Sequence, residues 1–190
     1  QWNKKTMLIR YRFFILPKFR LLMITKMKKI ICFLYLFFNL YYSDAQEITT
    51  YYFIRHAEKV RTDSSDKNPS LNDAGFQRAK KWQEVFSNIT FDAIYSTNYL
   101  RTKLTAKPTA DYLGLPILLY DSKNMYSQDF QKATKGKTVL VVGHSNTTHV
   151  FVNRMLRKEK YLEIEDNNNS NLYIVSMING KASSLVLRIN

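Results

Sequence analysis

The sequence predicts an α/β fold, a three-layer α/β/α sandwich on a mostly parallel central sheet with an antiparallel edge and a C-terminal hairpin. Three observations carry that prediction. Along residues 46–190, short β-rich runs alternate with segments of helical spacing, the pattern of strands joined by crossover helices. The run Thr138 to Val142 is β-branched or leucine throughout, as suits a strand buried on both faces. Asn179-Gly180 separates two apolar runs near the C-terminus, and because both turn positions require positive φ, the pair marks a hairpin.

The elements follow in order. Residues 49–55 form the first strand, and the polar stretch 56–70, with Asp63-Ser64-Ser65-Asp66 and Asn68-Pro69, reads as a loop beside a site. Ala79, Trp82, Val85 and Phe86 recur at helical spacing and predict a helix from near Asn72 to about Phe86. Phe91 to Ser96 is the second strand. A helix over 98–113 turns Leu100, Leu104, Ala110 and Leu113 inward and stops at Gly114, with a kink or break expected at Pro108. A third strand covers Ile117 to Tyr120, a short helix 127–134, and the fourth strand is followed by a helix from Asn146 to Leu156. The charged, Asn-rich stretch 157–170 reads as a surface loop. The hairpin pairs Leu172–Met177 with Ser183–Ile189.

Charge and hydropathy divide the chain. Of the formal +14, residues 1–45 contribute +8, leaving +6 on residues 46–190. That moderate basicity suits small anionic substrates, and no dense Lys/Arg stripe with interleaved aromatics points to nucleic acid. Met27-Lys28-Lys29, the apolar run Ile30 to Tyr42 and Ser43-Asp44-Ala45 read as a signal peptide cleaved before Gln46. The 13-residue apolar run is shorter than the roughly 20 residues that span a bilayer. The expected organisation is therefore 1–26 as an upstream extension or mis-called start, 27–45 as the signal peptide, and 46–190 as the folded domain. The expected location is periplasmic or secreted, with an uncleaved membrane anchor as the alternative. The single cysteine, Cys32, lies in the apolar run, so the domain has no Cys nucleophile, Cys metal site or disulfide.

Three strand ends carry chemistry. Tyr51-Tyr52-Phe53-Ile54 runs into Arg55-His56-Ala57-Glu58, the second strand runs into Arg101 within the next helix, and Val139–Gly143 runs into His144. Open α/β sheets gather ligands at such C-terminal strand ends. A neutral imidazole at His56 is a good nucleophile toward phosphorus. Arg55 and Arg101 supply permanently charged planar forks for phosphoryl oxygens. Gly143 permits close backbone approach, and His144 can donate to a phosphoryl oxygen. The segments together read as a pocket for a dianionic phosphate centred on a histidine. His149 reads as an exposed helical histidine.

These segments resemble the histidine phosphatase superfamily, whose fold is phosphoglycerate mutase-like. The resemblance rests on Arg55-His56-Ala57, on Ser96 through Arg101 to Thr105-Ala106, on Gly143-His144, and on the helix start Leu71-Asn72-Asp73-Ala74-Gly75, spanning roughly residues 50 to 156. It implies that His56 becomes phosphorylated while Arg55, Arg101 and His144 hold the transferring group, with no metal or organic cofactor. The compact length is similar to that of the phosphatase branch of the superfamily. Many members carry a Glu after the third strand as the leaving-group acid, but residues 121–129 contain none. Glu58, Asp121 and Asp129 are the candidates, with Glu58 nearest the nucleophile in sequence. The expected function is an exported phosphomonoesterase acting on a small phosphorylated substrate, without nucleic-acid partners. A catalytically idle phosphate-binding domain and a protein phosphohistidine phosphatase are the alternatives.

Overall fold

The computed structural model describes residues 23–35 and 47–190. The chain divides into two units, Gln1–Ala45 and Gln46–Asn190. In the first, residues 23–35 are helical (α1). Among the described residues no helix is long and apolar enough to cross a membrane. The expected cleavage site before Gln46 and most of the upstream extension lie outside the described residues.

The second unit runs β1 (Ile48–Arg55), α2 (Asp73–Val85), β2 (Ala93–Ser96), α3 (Leu100–Leu113), β3 (Ile117–Leu119), α4 (Gln128–Thr134), β4 (Thr138–Gly143), α5 (Ser145–Leu156), β5 (Asn171–Ile178) and β6 (Lys181–Arg188). The six strands form one sheet in the order β3-β2-β4-β1-β5-β6. β3, β2, β4 and β1 are parallel, while β5 and β6 are antiparallel. This is the expected mixed sheet with an antiparallel edge. The hairpin turn follows its sequence signal, with Asn179 at φ 49° and Gly180 at φ 74°.

Strand alternation divides the core between the two faces. Tyr51, Phe53, Val139 and Val141 pack with Phe130 of α4 and Phe151 of α5. Ile54, Leu140 and Val142 pack with Trp82 of α2 and with Ala106 and Ala110 of α3. Helices thus cover both faces, which makes the three layers. Helix α3 is one run through Pro108, so the expected break does not occur. Flanking turns and the buried Ala106 and Ala110 hold it against the sheet despite the missing backbone donor.

Two local devices fix the loop that follows β1. Asn72 caps α2 by accepting from Gly75 N at 2.9 Å, and its own N–H donates to Glu58 O at 3.0 Å. Gly75 is required there, because a Cβ would lie 2.0 Å from Glu58 O. Farther along the loop, Asn68 Oδ1 accepts from Leu100 N at 2.8 Å and caps α3, whose N-cap Tyr99 has no capping side chain.

Candidate active site

Strand register brings the chemistry together. β4 lies between β1 and β2, with Arg55 opposite Gly143 and Ser96 opposite Val142, so the three strands end level. The ladder continues one residue further, where His56 N donates to Gly143 O at 2.9 Å. His56 and His144 emerge side by side, ring centroids 5.5 Å apart. A cavity of about 350 Å³ opens over them, lined among others by Arg55, His56, Lys59, Arg101 and His144. The acid candidates Glu58, Asp121 and Asp129 are all missing from its wall.

His56 is held by three elements. Its carbonyl accepts from Asn169 Nδ2 at 2.7 Å, and Ala57 N donates to Thr105 Oγ1 of α3 at 2.8 Å. Its ring Nδ1 lies 2.8 Å from Ala57 O, and a carbonyl can only accept, so Nδ1 carries the hydrogen. Nε2 is left with its lone pair free. Burial, opposed by that backbone bond and helped by Arg55, His144 and Arg101, pulls the His56 pKa down to about 3. The imidazole is therefore neutral throughout the physiological range, with an Nε2 lone pair able to act as a nucleophile.

His144 pairs through Nε2 with Thr97 Oγ1 at 2.9 Å, and Thr97 in turn meets Thr102 Oγ1 at 2.9 Å. Thr102 Oγ1 gives its hydrogen to the Thr97 or Tyr99 carbonyl, so Thr97 Oγ1 donates to Thr102 and accepts from His144. This places the His144 hydrogen on Nε2 rather than on Nδ1 for a phosphoryl oxygen as expected. Burial, then the charges of Arg101, Arg55 and Lys59, lower the His144 pKa to about 4.

The two arginines are placed differently. Arg101 stands on the Tyr99 ring, 4.5 Å from its centroid, with Nη2 3.4 Å from His144 Nδ1. Its Nε and Nη1 are buried without a hydrogen-bond partner. Arg55 is only 2 % exposed and is largely committed. Its Nη1 donates to the carbonyls of Glu165, Asp166 and Asn168 at 2.9, 2.9 and 3.1 Å, and Nη2 pairs with Asp166 Oδ1 at 2.7 Å. Only Nε of Arg55 lacks a partner. The free two-armed fork expected of Arg55 is thus corrected to a single free donor on a guanidinium that organises a loop. Three orphaned guanidinium N–H groups around two imidazoles make a site for an oxyanion, since buried cationic donors demand acceptors.

Residues 51–122 match the model of the histidine phosphatase superfamily (branch 1). That match spans 72 of the 190 residues, from β1 through β3. No curated protein sequence matches the chain. Among solved structures, the protein histidine phosphatase SixA complexed with tungstate is similar at 16% identity and TM-score 0.59, over 73% of this chain and 96% of that one. The α-ribazole phosphatase of Shigella flexneri is similar at 12% identity and TM-score 0.58, over 74% of this chain and 96% of that one. The phosphoglycerate mutase of Bacillus anthracis str. Sterne is similar at 14% identity and TM-score 0.60, over 75% of this chain and 93% of that one. At such identities the structures speak for the fold alone.

Around this site, two sequence expectations are corrected. Glu58 does not face the cavity, because both its oxygens accept from Arg78 Nε, at 2.7 and 2.9 Å. The 157–170 stretch is more than a surface loop. Ile164, Asn169 and Ser170 are buried, and its carbonyls and side chains hold Arg55 and His56 from below. Asp121 accepts from Lys123 N at 2.8 Å in its own turn, and Asp129 sits in the first turn of α4. His149 is half-buried, with Nδ1 3.0 Å from Ser145 O. Sequence reading missed Thr97, Thr102, Asn169 and Asp166 as supports. The threonines had a signal, since buried Thr102, Thr105 and Thr109 interrupt the apolar face of α3.

The depressed imidazoles make stability pH-dependent. An unfolded histidine titrates near about 6.5, whereas His56 and His144 titrate at about 3 and about 4 in the folded domain. Between those limits the unfolded chain binds more protons, so stability rises with pH. The contribution is fully present above the unfolded value and disappears as pH falls toward the folded ones. Asp166, lowered to about 2 by Arg61 and Arg55, acts in the same direction at still lower pH. The thermal midpoint is expected to fall from neutral pH toward the folded histidine values, with His56→Ala narrowing the drop. A midpoint that rises on acidification contradicts these assignments.

Proposed function

We propose that the domain is a phosphatase that hydrolyses small phosphomonoesters through a phosphohistidine on His56, with no metal ion in the step. One observation carries the reading: His56 holds its hydrogen on Nδ1 and faces the cavity in which Arg55 Nε and Arg101 Nε and Nη1 lack partners. A phosphoryl group brings the acceptors those donors need, and charge developing on its equatorial oxygens strengthens each bond in the transition state. Nε2 attacks phosphorus, the ester oxygen leaves, and water then displaces the phosphoryl group from the imidazole.

Incubation with p-nitrophenyl phosphate tests this. Release of inorganic phosphate is expected; saturable phosphate binding without release would instead leave an idle anion-binding domain. Export belongs to the same proposal and rests on the basic, apolar and small-residue pattern of 27–45. N-terminal sequencing of envelope-derived protein should begin at Gln46, and an intact Met27 overturns cleavage.

A further inference from the structure

An alkyl phosphate poses a demand that the two imidazoles and two guanidiniums do not meet. When His56 Nε2 bonds to phosphorus, the departing alkoxide needs a proton, whereas p-nitrophenolate leaves without one. Two carboxylates line the cavity, Glu163 and Asp166. Asp166 is committed, with one oxygen 2.7 Å from Arg55 Nη2 and the other 2.7 Å from Arg61 Nη1. Glu58 is held by Arg78 and, like Asp121 and Asp129, does not line the cavity. Among the described residues, the Glu163 carboxylate has neither an ion-pair nor a hydrogen-bond partner.

The backbone fixes where Glu163 can act. Its neighbour Ile164 is 4 % exposed and donates from N to Ser145 O at 3.3 Å, seating the segment beside the turn that carries His144. Immediately beyond, the carbonyls of Glu165 and Asp166 bind Arg55. Glu163 therefore stands on a segment tied to both walls of the phosphate site, with its own side chain exposed and lining the cavity.

We propose that Glu163 is the acid that protonates the leaving oxygen, which rests on the phosphatase reading above. As the Nε2–P bond forms and the ester P–O bond breaks, the Glu163 carboxyl gives its proton to the departing oxygen and an alcohol leaves. The resulting carboxylate recovers its proton from solvent. Water then attacks phosphorus and keeps both its hydrogens on the product, and the N–P bond breaks with its electron pair returning to Nε2. Inorganic phosphate departs in this step, which does not use Glu163 and is the same for every ester.

Leaving-group dependence tests the assignment. Wild type and Glu163→Gln are assayed on p-nitrophenyl phosphate and on β-glycerol phosphate. The variant is expected to keep its rate on the aryl ester within a few-fold and to lose about 10²–10⁴ on the alkyl ester. Equal losses on both esters, or no loss on either, overturn the assignment, as does a wild type that cleaves only the aryl ester. A wild type that cleaves neither ester overturns the phosphatase reading and this inference with it.

Discussion

Replacing His56 with alanine is expected to abolish phosphate release from p-nitrophenyl phosphate, lowering kcat by about 10⁴–10⁶. The loss is this large because in the proposed mechanism the ring is the nucleophile, and its removal takes away the covalent route altogether. The fold should survive, since His56 is held through its backbone, by Gly143 O at 2.9 Å and Asn169 Nδ2 at 2.7 Å, and alanine keeps both bonds. Circular dichroism and thermal unfolding near neutral pH should therefore resemble wild type while turnover disappears. A variant retaining turnover within tenfold would exclude His56 as nucleophile.

Replacing Arg101 with alanine is expected to lower kcat/KM by about 10²–10⁴ and to weaken inhibition by inorganic phosphate. Arg101 brings two of the three unpartnered guanidinium N–H groups, and it makes no ion pair among the described residues. Arg55, by contrast, spends most of its donors on the 165–168 carbonyls, so its replacement would mix lost binding with a loosened loop. Arg101→Ala is the cleaner probe for that reason. Burial lowers the Arg101 pKa, with Arg55 adding to it, so removing the charge should leave the thermal midpoint level or raise it. Lysine should rescue only partly, because an ammonium cannot reproduce the planar fork over Tyr99. Unchanged phosphate inhibition in Arg101→Ala would contradict the assignment.

Much of this site was legible because its chemistry follows strand ends. Arg55-His56 and Gly143-His144 each close an apolar run, and the parallel pairing of β1 with β4 converts two distant motifs into neighbours. The topology itself was legible in the same way, from Thr138–Val142 as a buried strand and Asn179-Gly180 as a turn. What stayed hidden depends on which group meets which. The Asn-rich stretch 167–169 has the composition of a solvated loop, yet Asn169 bonds the nucleophile's carbonyl. Glu58 sits two residues from His56 but is turned toward α2, where Arg78 receives it. Glu163 lies more than a hundred residues from the nucleophile and reaches the cavity through the Ile164–Ser145 bond, a contact no periodicity announces. Spacing reports the faces of regular elements, whereas loop partners are decided by side-chain hydrogen bonds across the fold.

The account depends on His56 Nε2 forming a bond to phosphorus inside the cavity. Its most direct measurement is chemical trapping: protein mixed with phosphorus-labelled p-nitrophenyl phosphate, quenched in alkali and mapped by peptide. Label that survives alkali, is lost in acid and resides on the peptide containing His56 is the expected result. Phosphate released with no label on that peptide, or with label on a serine such as Ser122 or Ser145 of the cavity wall, would contradict the mechanism.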